Sequence, residues 1–152
     1  MLRLKSHYIL RAVGSLPWVV STNACCRHFW FVGPTAMADV KHVPPTEAAE
    51  LLKTGYTYLD VRTPEEFAAG HAEGAVNIPF MLSKPEGMVP NAEFVQQVKQ
   101  HFPNQDHPMV VGCKAGPRST RACAALAQDY TSLVMNATGW DGWVAASLPA
   151  AK

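Results

Sequence analysis

The segment Met109-Val110-Val111-Gly112-Cys113-Lys114-Ala115-Gly116-Pro117-Arg118-Ser119-Thr120 constrains the fold of this chain more than any other. A short β-branched run feeds into one cysteine, a loop with glycine and proline follows, and residues 118–130 then favour helix. The pattern predicts a strand, a tight loop and a helix N-terminus, with a thiol at the strand's end. That position favours a reactive cysteine. The first N–H groups of a helix lack partners within it and lie at the positive end of its dipole, so a thiolate placed there is stabilised. Lys114 and Arg118 add fixed positive charge, and such surroundings lower a thiol pKa of about 8.5 to roughly 3.5–7.5. Gly116 supplies a positive φ, Pro117 presets φ where the helix starts, and the loop amides are expected to face the sulfur.

The rest of the chain alternates helix and strand signals. Thr46 is expected to cap a helix containing Ala48, Leu51 and Leu52, with its exit at Gly55. Residues 56–61 form a candidate buried strand. Thr63-Pro64-Glu65-Glu66 is a capping-box sequence that opens a short helix through Ala69, ended by Gly70. A short strand follows at 76–78, and residues 80–90, with two prolines and one glycine, are expected to be a surface loop. Asn91 can cap a helix whose apolar face is Phe94, Val95, Val98 and Phe102. After the cysteine loop come a helix to about Tyr130, a strand at 132–135 and a short helix at 140–146. Strands alternating with helices predict an α/β domain with a central, mostly parallel sheet flanked by helices. In such sheets, sites form beyond the carboxyl ends of the strands, where Cys113 stands.

The loop Cys113-Lys114-Ala115-Gly116-Pro117-Arg118-Ser119 resembles the C-x-x-G-x-R-[ST] active loop of rhodanese-type sulfurtransferases. Leu59-Asp60-Val61-Arg62-Thr63-Pro64-Glu65-Glu66-Phe67, followed by Gly70-His71 and Ala75-Val76-Asn77-Ile78-Pro79, resembles a second signature of that family. Gly139-Trp140-Asp141-Gly142-Trp143 is similar to its closing turn, and Tyr58-Leu59-Asp60-Val61-Arg62 with Val111-Gly112-Cys113-Lys114 resembles the single-domain plant-type thiosulfate sulfurtransferases. Three motifs in the right order span 43–149. The resemblance implies a rhodanese-like fold and a double displacement. The Cys113 thiolate takes the outer sulfur of thiosulfate, releases sulfite, and passes the sulfur to cyanide or a thiol such as glutathione or thioredoxin. Mercaptopyruvate is the rival donor; Lys114, a second cation beside the nucleophile, favours the dianion thiosulfate. Cys113 would be catalytic, and the inward amides of Ala115 to Thr120, a run that includes the loop residues Gly116, Pro117, Arg118 and Ser119, would stabilise the persulfide. Arg118 either draws in the donor or fixes the loop by pairing with a carboxylate. Asp60 and Arg62 either position the loop or pair with each other. No cofactor is implied, and a monomer is expected. The family's usual Gly-Gly-aromatic turn is here Thr138-Gly139-Trp140, so Thr138 would be strained if its position needs positive φ.

Two other functions fit parts of this pattern. A thiolate phosphatase or arsenate reductase would use a C-x5-R loop, whereas four residues separate Cys113 from Arg118. A non-catalytic rhodanese-like module would be expected to lack the cysteine or the loop glycine, and this chain has both. Net charge is +1, which gives no reason to expect nucleic acid, and no apolar run is long enough to span a bilayer. Residues 1–38 contain Arg3, Lys5, Arg11 and Arg27 and no acidic residue, the composition of an organellar targeting segment for a chloroplast or mitochondrion. A disordered tail and a secretory signal are the alternatives; Pro17 interrupts the apolar core of such a signal, and a reactive thiol suits a reducing compartment. Translation from Met37 would instead give a cytosolic protein. Residues 39–152 are then the single domain. Cys123 is expected to be a small buried hydrophobe. The histidines show no metal-ligand spacing, and a metal site is not expected. Glu65 and Glu66 are expected to act as helix N-terminal charges, His71 as a structural imidazole, and Trp140 and Trp143 to close the core or the rim of the site.

Overall fold

The computed structural model describes residues 40–152. The segment assigned to targeting, 1–38, and the alternative start at Met37 lie outside the described residues. Chain order is β1 (Lys41–Val43), α1 (Pro45–Lys53), β2 (Thr57–Asp60), α2 (Pro64–Ala68), β3 (His71–Ala72), β4 (Val76–Asn77), β5 (Met81–Lys84) and β6 (Gly87–Pro90). Then follow α3 (Phe94–His101), β7 (Met109–Gly112), α4 (Pro117–Leu126), β8 (Leu133–Asn136), α5 (Gly139–Ala145) and β9 (Ala150–Ala151). Five strands form one sheet in the order β1-β8-β7-β2-β4, with every pairing parallel. The domain is α/β, as the alternation of signals predicts.

Burial on both faces explains the apolar runs in β2, β7 and β8. Leu59, Met109, Val111, Leu133 and Met135 point to one side and pack with Phe94 and Val98 of α3 and Ala122, Cys123 and Leu126 of α4. Tyr58, Val110 and Val134 point to the other and pack with Ala48 of α1 and Trp143 of α5. Tyr58 and Trp143 meet edge to face, with ring centroids 5.3 Å apart. Cys113 continues β7 and lies on the α3/α4 side of the sheet.

Several elements depart from the sequence expectation, each for a local reason. Residues 81–90 form an antiparallel hairpin rather than a loop, turning at Pro85-Glu86 with Gly87 at φ +121°. Its strands are largely exposed, so they carry little apolar periodicity to betray them. Edge strand β1 leaves no sequence signal, because Lys41 and His42 are exposed and Val43 alone is buried. Helix α1 starts one residue before Thr46, with Pro44 in the capping position and no side-chain cap. Asn91 accepts the N–H of Glu93 at 3.1 Å, an Asx turn that delays α3 to Phe94. Helix α4 stops at Leu126; Tyr130 instead turns inward and donates its hydroxyl to the Phe102 carbonyl at 2.6 Å. The two-residue strands β3 and β9 pair antiparallel, an extra tie between distant segments too short to register in the sequence.

Candidate active site

The carboxyl ends of β2, β7 and β8 converge where the chain leaves β7 at Cys113. Asp60 lies level with Gly112 across the sheet, and the Val61 amide donates to the Gly112 carbonyl at 2.9 Å. The strand end that presents the sulfur is therefore tied to its neighbour. Gly116 adopts φ +115°, the turn that glycine permits, and Pro117 opens α4 at its first position.

This turn brings donors to the sulfur. The Gly116 amide reaches Cys113 Sγ at 3.1 Å and the Ser119 hydroxyl lies at 3.5 Å. Ser119 Oγ also sits 2.7 Å from the Gly116 carbonyl, so its single proton is shared between the sulfur and the loop backbone. Burial pushes the Cys113 thiol up, but hydrogen bonds from the Ser119 hydroxyl and from the amides of Ser119, Gly116 and Ala115 outweigh it and leave the pKa lowered. The stabilisation comes from loop donors more than from the fixed charges. Lys114 is exposed. Thr120 turns elsewhere: its amide and hydroxyl both engage the Gly116 carbonyl. Pro117 has no amide to offer and contributes through its φ alone.

Arg118 takes the carboxylate partner. Its Nη1 and Nη2 donate to Glu66 Oε2 and Oε1 at 2.5 and 2.8 Å, a two-pronged contact across 52 residues. Glu66 simultaneously closes the capping box of α2, accepting the Thr63 amide at 3.1 Å while its own amide donates to Thr63 Oγ1. Its role thus extends beyond the helix-terminal charge and capping box expected from sequence to the Arg118 contact, which no local spacing signals. The Arg118 hydrogen bonds hold the Glu66 carboxyl down at about 2. A depressed carboxylate contributes stability that is present above its ordinary 4.5 and lost as pH falls through about 2. Glu66→Gln is therefore expected to flatten the acid limb of stability between those values. Because the pair is part-exposed, the loss near neutrality should stay within about 1 kcal/mol. Urea midpoints measured from about pH 2 to 7 test both.

Asp60 and Arg62 pair with each other, both almost fully buried. Arg62 also donates to the Gly70 carbonyl at 2.7 Å and lies over the Trp140 ring, 4.8 Å from its centre. Trp140 thus belongs to the rim of this charged pair, whereas Trp143 is core. His71 is structural: it stacks on Phe67 and bonds the Phe67 carbonyl through Nδ1.

Helix α5 seats against the loop from the far side. The Trp140 amide donates to the Cys113 carbonyl at 2.7 Å and the Asp141 amide to the Lys114 carbonyl at 3.0 Å. Thr138 has φ −105° and is unstrained; the positive φ of the turn, +58°, falls on Gly139. The missing first glycine therefore costs this chain nothing in backbone conformation. Cys123 is buried on α4, and burial pushes its thiol up to about 12. A small alkylating reagent at neutral pH is expected to label Cys113 and leave Cys123 unlabelled, as peptide mapping by mass would show. Labelling of Cys123 at a comparable rate would contradict this ordering of the two thiols.

A single cysteine cradled by loop donors at the carboxyl end of a central parallel strand defines an α/β thiolate-site domain. A model of the rhodanese-like domain matches residues 44–146, and the chain belongs to that family. Thiosulfate sulfurtransferase 16, chloroplastic, from Arabidopsis thaliana is 42% identical over 118 residues, covering 74% of this chain and 98% of that protein. The protein HIGH ARSENIC CONTENT 1, mitochondrial, from the same plant is 40% identical over 120 residues, covering 78% of this chain and 70% of that one. Rv0390 from M. tuberculosis shares the fold, with a TM-score of 0.63 at 19% identity over 74% of this chain and 97% of that structure.

Proposed function

We propose that the protein is a thiosulfate sulfurtransferase that carries a sulfane sulfur on Cys113. The observation that carries this reading is the donor set converging on one sulfur, the Gly116 amide at 3.1 Å and the Ser119 hydroxyl at 3.5 Å. The Cys113 thiolate attacks the outer sulfur of thiosulfate, the sulfur–sulfur bond breaks, and sulfite leaves with its electron pair. The persulfide that remains is anionic at its terminal sulfur, so the loop donors favour the loaded state as they favour the thiolate. No general base is needed. Lys114, exposed beside the nucleophile, attracts the dianionic donor ahead of mercaptopyruvate. Arg118, engaged by Glu66, holds the loop, and the buried Asp60–Arg62 pair supports the strand end behind it. Cys113 and its donors come from one chain, so a monomer suffices.

The test is intact mass of the full chain after exposure to thiosulfate, beside Cys113→Ser, followed by cyanide. A one-sulfur gain that requires Cys113 and disappears as thiocyanate forms is the expected result. Uptake from mercaptopyruvate alone would replace the donor, and uptake from neither would favour a non-catalytic module. The relative named for arsenic content favours one second reading, thiolate attack on arsenate. It predicts arsenite release on incubation with arsenate and a thiol reductant, and the four-residue spacing of the loop argues against it. We further propose that residues 1–38 direct the domain, 39–152, to an organelle, in keeping with relatives named chloroplastic and mitochondrial. Import of the full chain into isolated organelles with shortening would support this; retention at full length outside both would refute it.

A further inference from the structure

A groove of about 530 Å³ lies between α2, the β5–β6 hairpin and α4. Arg118 lines it, a residue of the cysteine loop whose neighbour Ser119 lies 3.5 Å from the Cys113 sulfur. Arg118 is neutralised by Glu66, but Arg121, one turn further along α4, also lines the groove and is exposed, with no ion-pair partner among the described residues. Glu65 on the α2 side is likewise exposed and unpaired among them. The groove therefore offers, among the described residues, one free cation and one free anion.

Its third wall is apolar and adaptable. Met81 and Ser83 alternate onto one face of the hairpin, and Met88 joins them there as the cross-strand partner of Ser83. Met88 is 48% exposed, one of the large hydrophobic residues left facing solvent. Thioether side chains repack easily around small ligands. Thiosulfate and cyanide have neither the length nor the groups to use such a wall.

We propose that this groove binds the sulfur acceptor, a small peptide thiol carrying both an ammonium and carboxylates, with Arg121 taking a carboxylate and Glu65 the ammonium. The proposal rests on the sulfurtransferase reading and names the acceptor class for it. In the transfer step the acceptor thiolate attacks the outer sulfur of the Cys113 persulfide. The bond between that sulfur and Cys113 Sγ breaks, its electron pair returns to Sγ as thiolate, and the acceptor departs as a persulfide anion. Two negative charges enter and two leave, and no external oxidant or reductant is required.

The test separates loading from unloading. The full chain and its Arg121→Ala variant are loaded with thiosulfate, and removal of the sulfur by glutathione, by cyanide and by reduced thioredoxin is followed by mass. The ratio of glutathione to cyanide unloading rates is expected to fall about fivefold in Arg121→Ala, the loss of one charged contact at an exposed site. Calorimetric affinity of the unloaded protein for S-methylglutathione should fall by a similar factor. An unchanged ratio with equal S-methylglutathione affinity overturns the proposal. So does a loss confined to thioredoxin, which would make the groove a protein-docking face. Failure of the parent chain to load any sulfur would overturn the sulfurtransferase reading instead, and the S-methylglutathione measurement would still decide the groove.

Discussion

Asp60→Ala is expected to destabilise the folded domain by about 3–5 kcal/mol, because it leaves a guanidinium buried without its counter-charge. Asp60 accepts the Arg62 backbone amide at 3.0 Å, Nε at 3.0 Å and Nη2 at 2.6 Å, and both residues are nearly sealed from water. The remaining partners of Arg62, the Gly70 carbonyl and the Trp140 ring, carry no full charge and cannot replace a carboxylate. With a urea m-value of about 2 kcal/mol per M, the midpoint should drop by about 2 M. The double variant Asp60→Leu with Arg62→Met should recover part of the loss, since removing both charges removes the desolvation cost. Recovery is expected to stop short of the parent chain because the Gly70 carbonyl loses its donor. A stability of Asp60→Ala within about 1 kcal/mol of the parent would mean that water reaches Arg62 and solvates the charge left behind.

Gly139→Ala should impair the site more selectively. A Cβ on Gly139 would lie 2.3 Å from the Cys113 carbonyl oxygen and 2.7 Å from that of Lys114. Both obstacles are backbone, so α5 must retreat or the loop must move. Retreat breaks the amide contacts of Trp140 and Asp141 that pin those two carbonyls. The φ of +58° adds strain of about 1–3 kcal/mol for any side chain. Since a displacement of about 1 Å at a reacting group can cost about 100-fold, sulfur loading of Cys113 should slow by about that factor. Thr138→Gly is the control: φ at Thr138 is ordinary, so loading should stay within about twofold of the parent. Equal rates for Gly139→Ala and the parent would show that the loop tolerates movement of α5.

The cysteine loop was legible in the sequence because its determinants are local. Gly116 and Pro117 fix their own backbone, Thr63 and Glu66 cap their own helix, and the apolar runs of β2, β7 and β8 record burial on both faces. Those preferences operate over a few residues and survive without knowledge of the fold. The partner of Arg118 was not legible in the same way, since sequence allowed any carboxylate and only the packing of α2 beside α4 selected Glu66. Nor was the hairpin at 81–90, whose exposed strands pair with each other and leave no buried stripe. The turn before α5 escaped sequence reasoning for a related cause: which residue must take positive φ depends on how close the helix comes to the Cys113 carbonyl. The sequence by itself determined the cysteine at the strand's end, the turn that aims amides at it and the alternation that makes an α/β domain. Tertiary structure decided which charges of the described residues are neutralised, which of the two groove arginines is left unpaired among them and what packs against the loop, because those outcomes depend on distances between residues far apart in the chain.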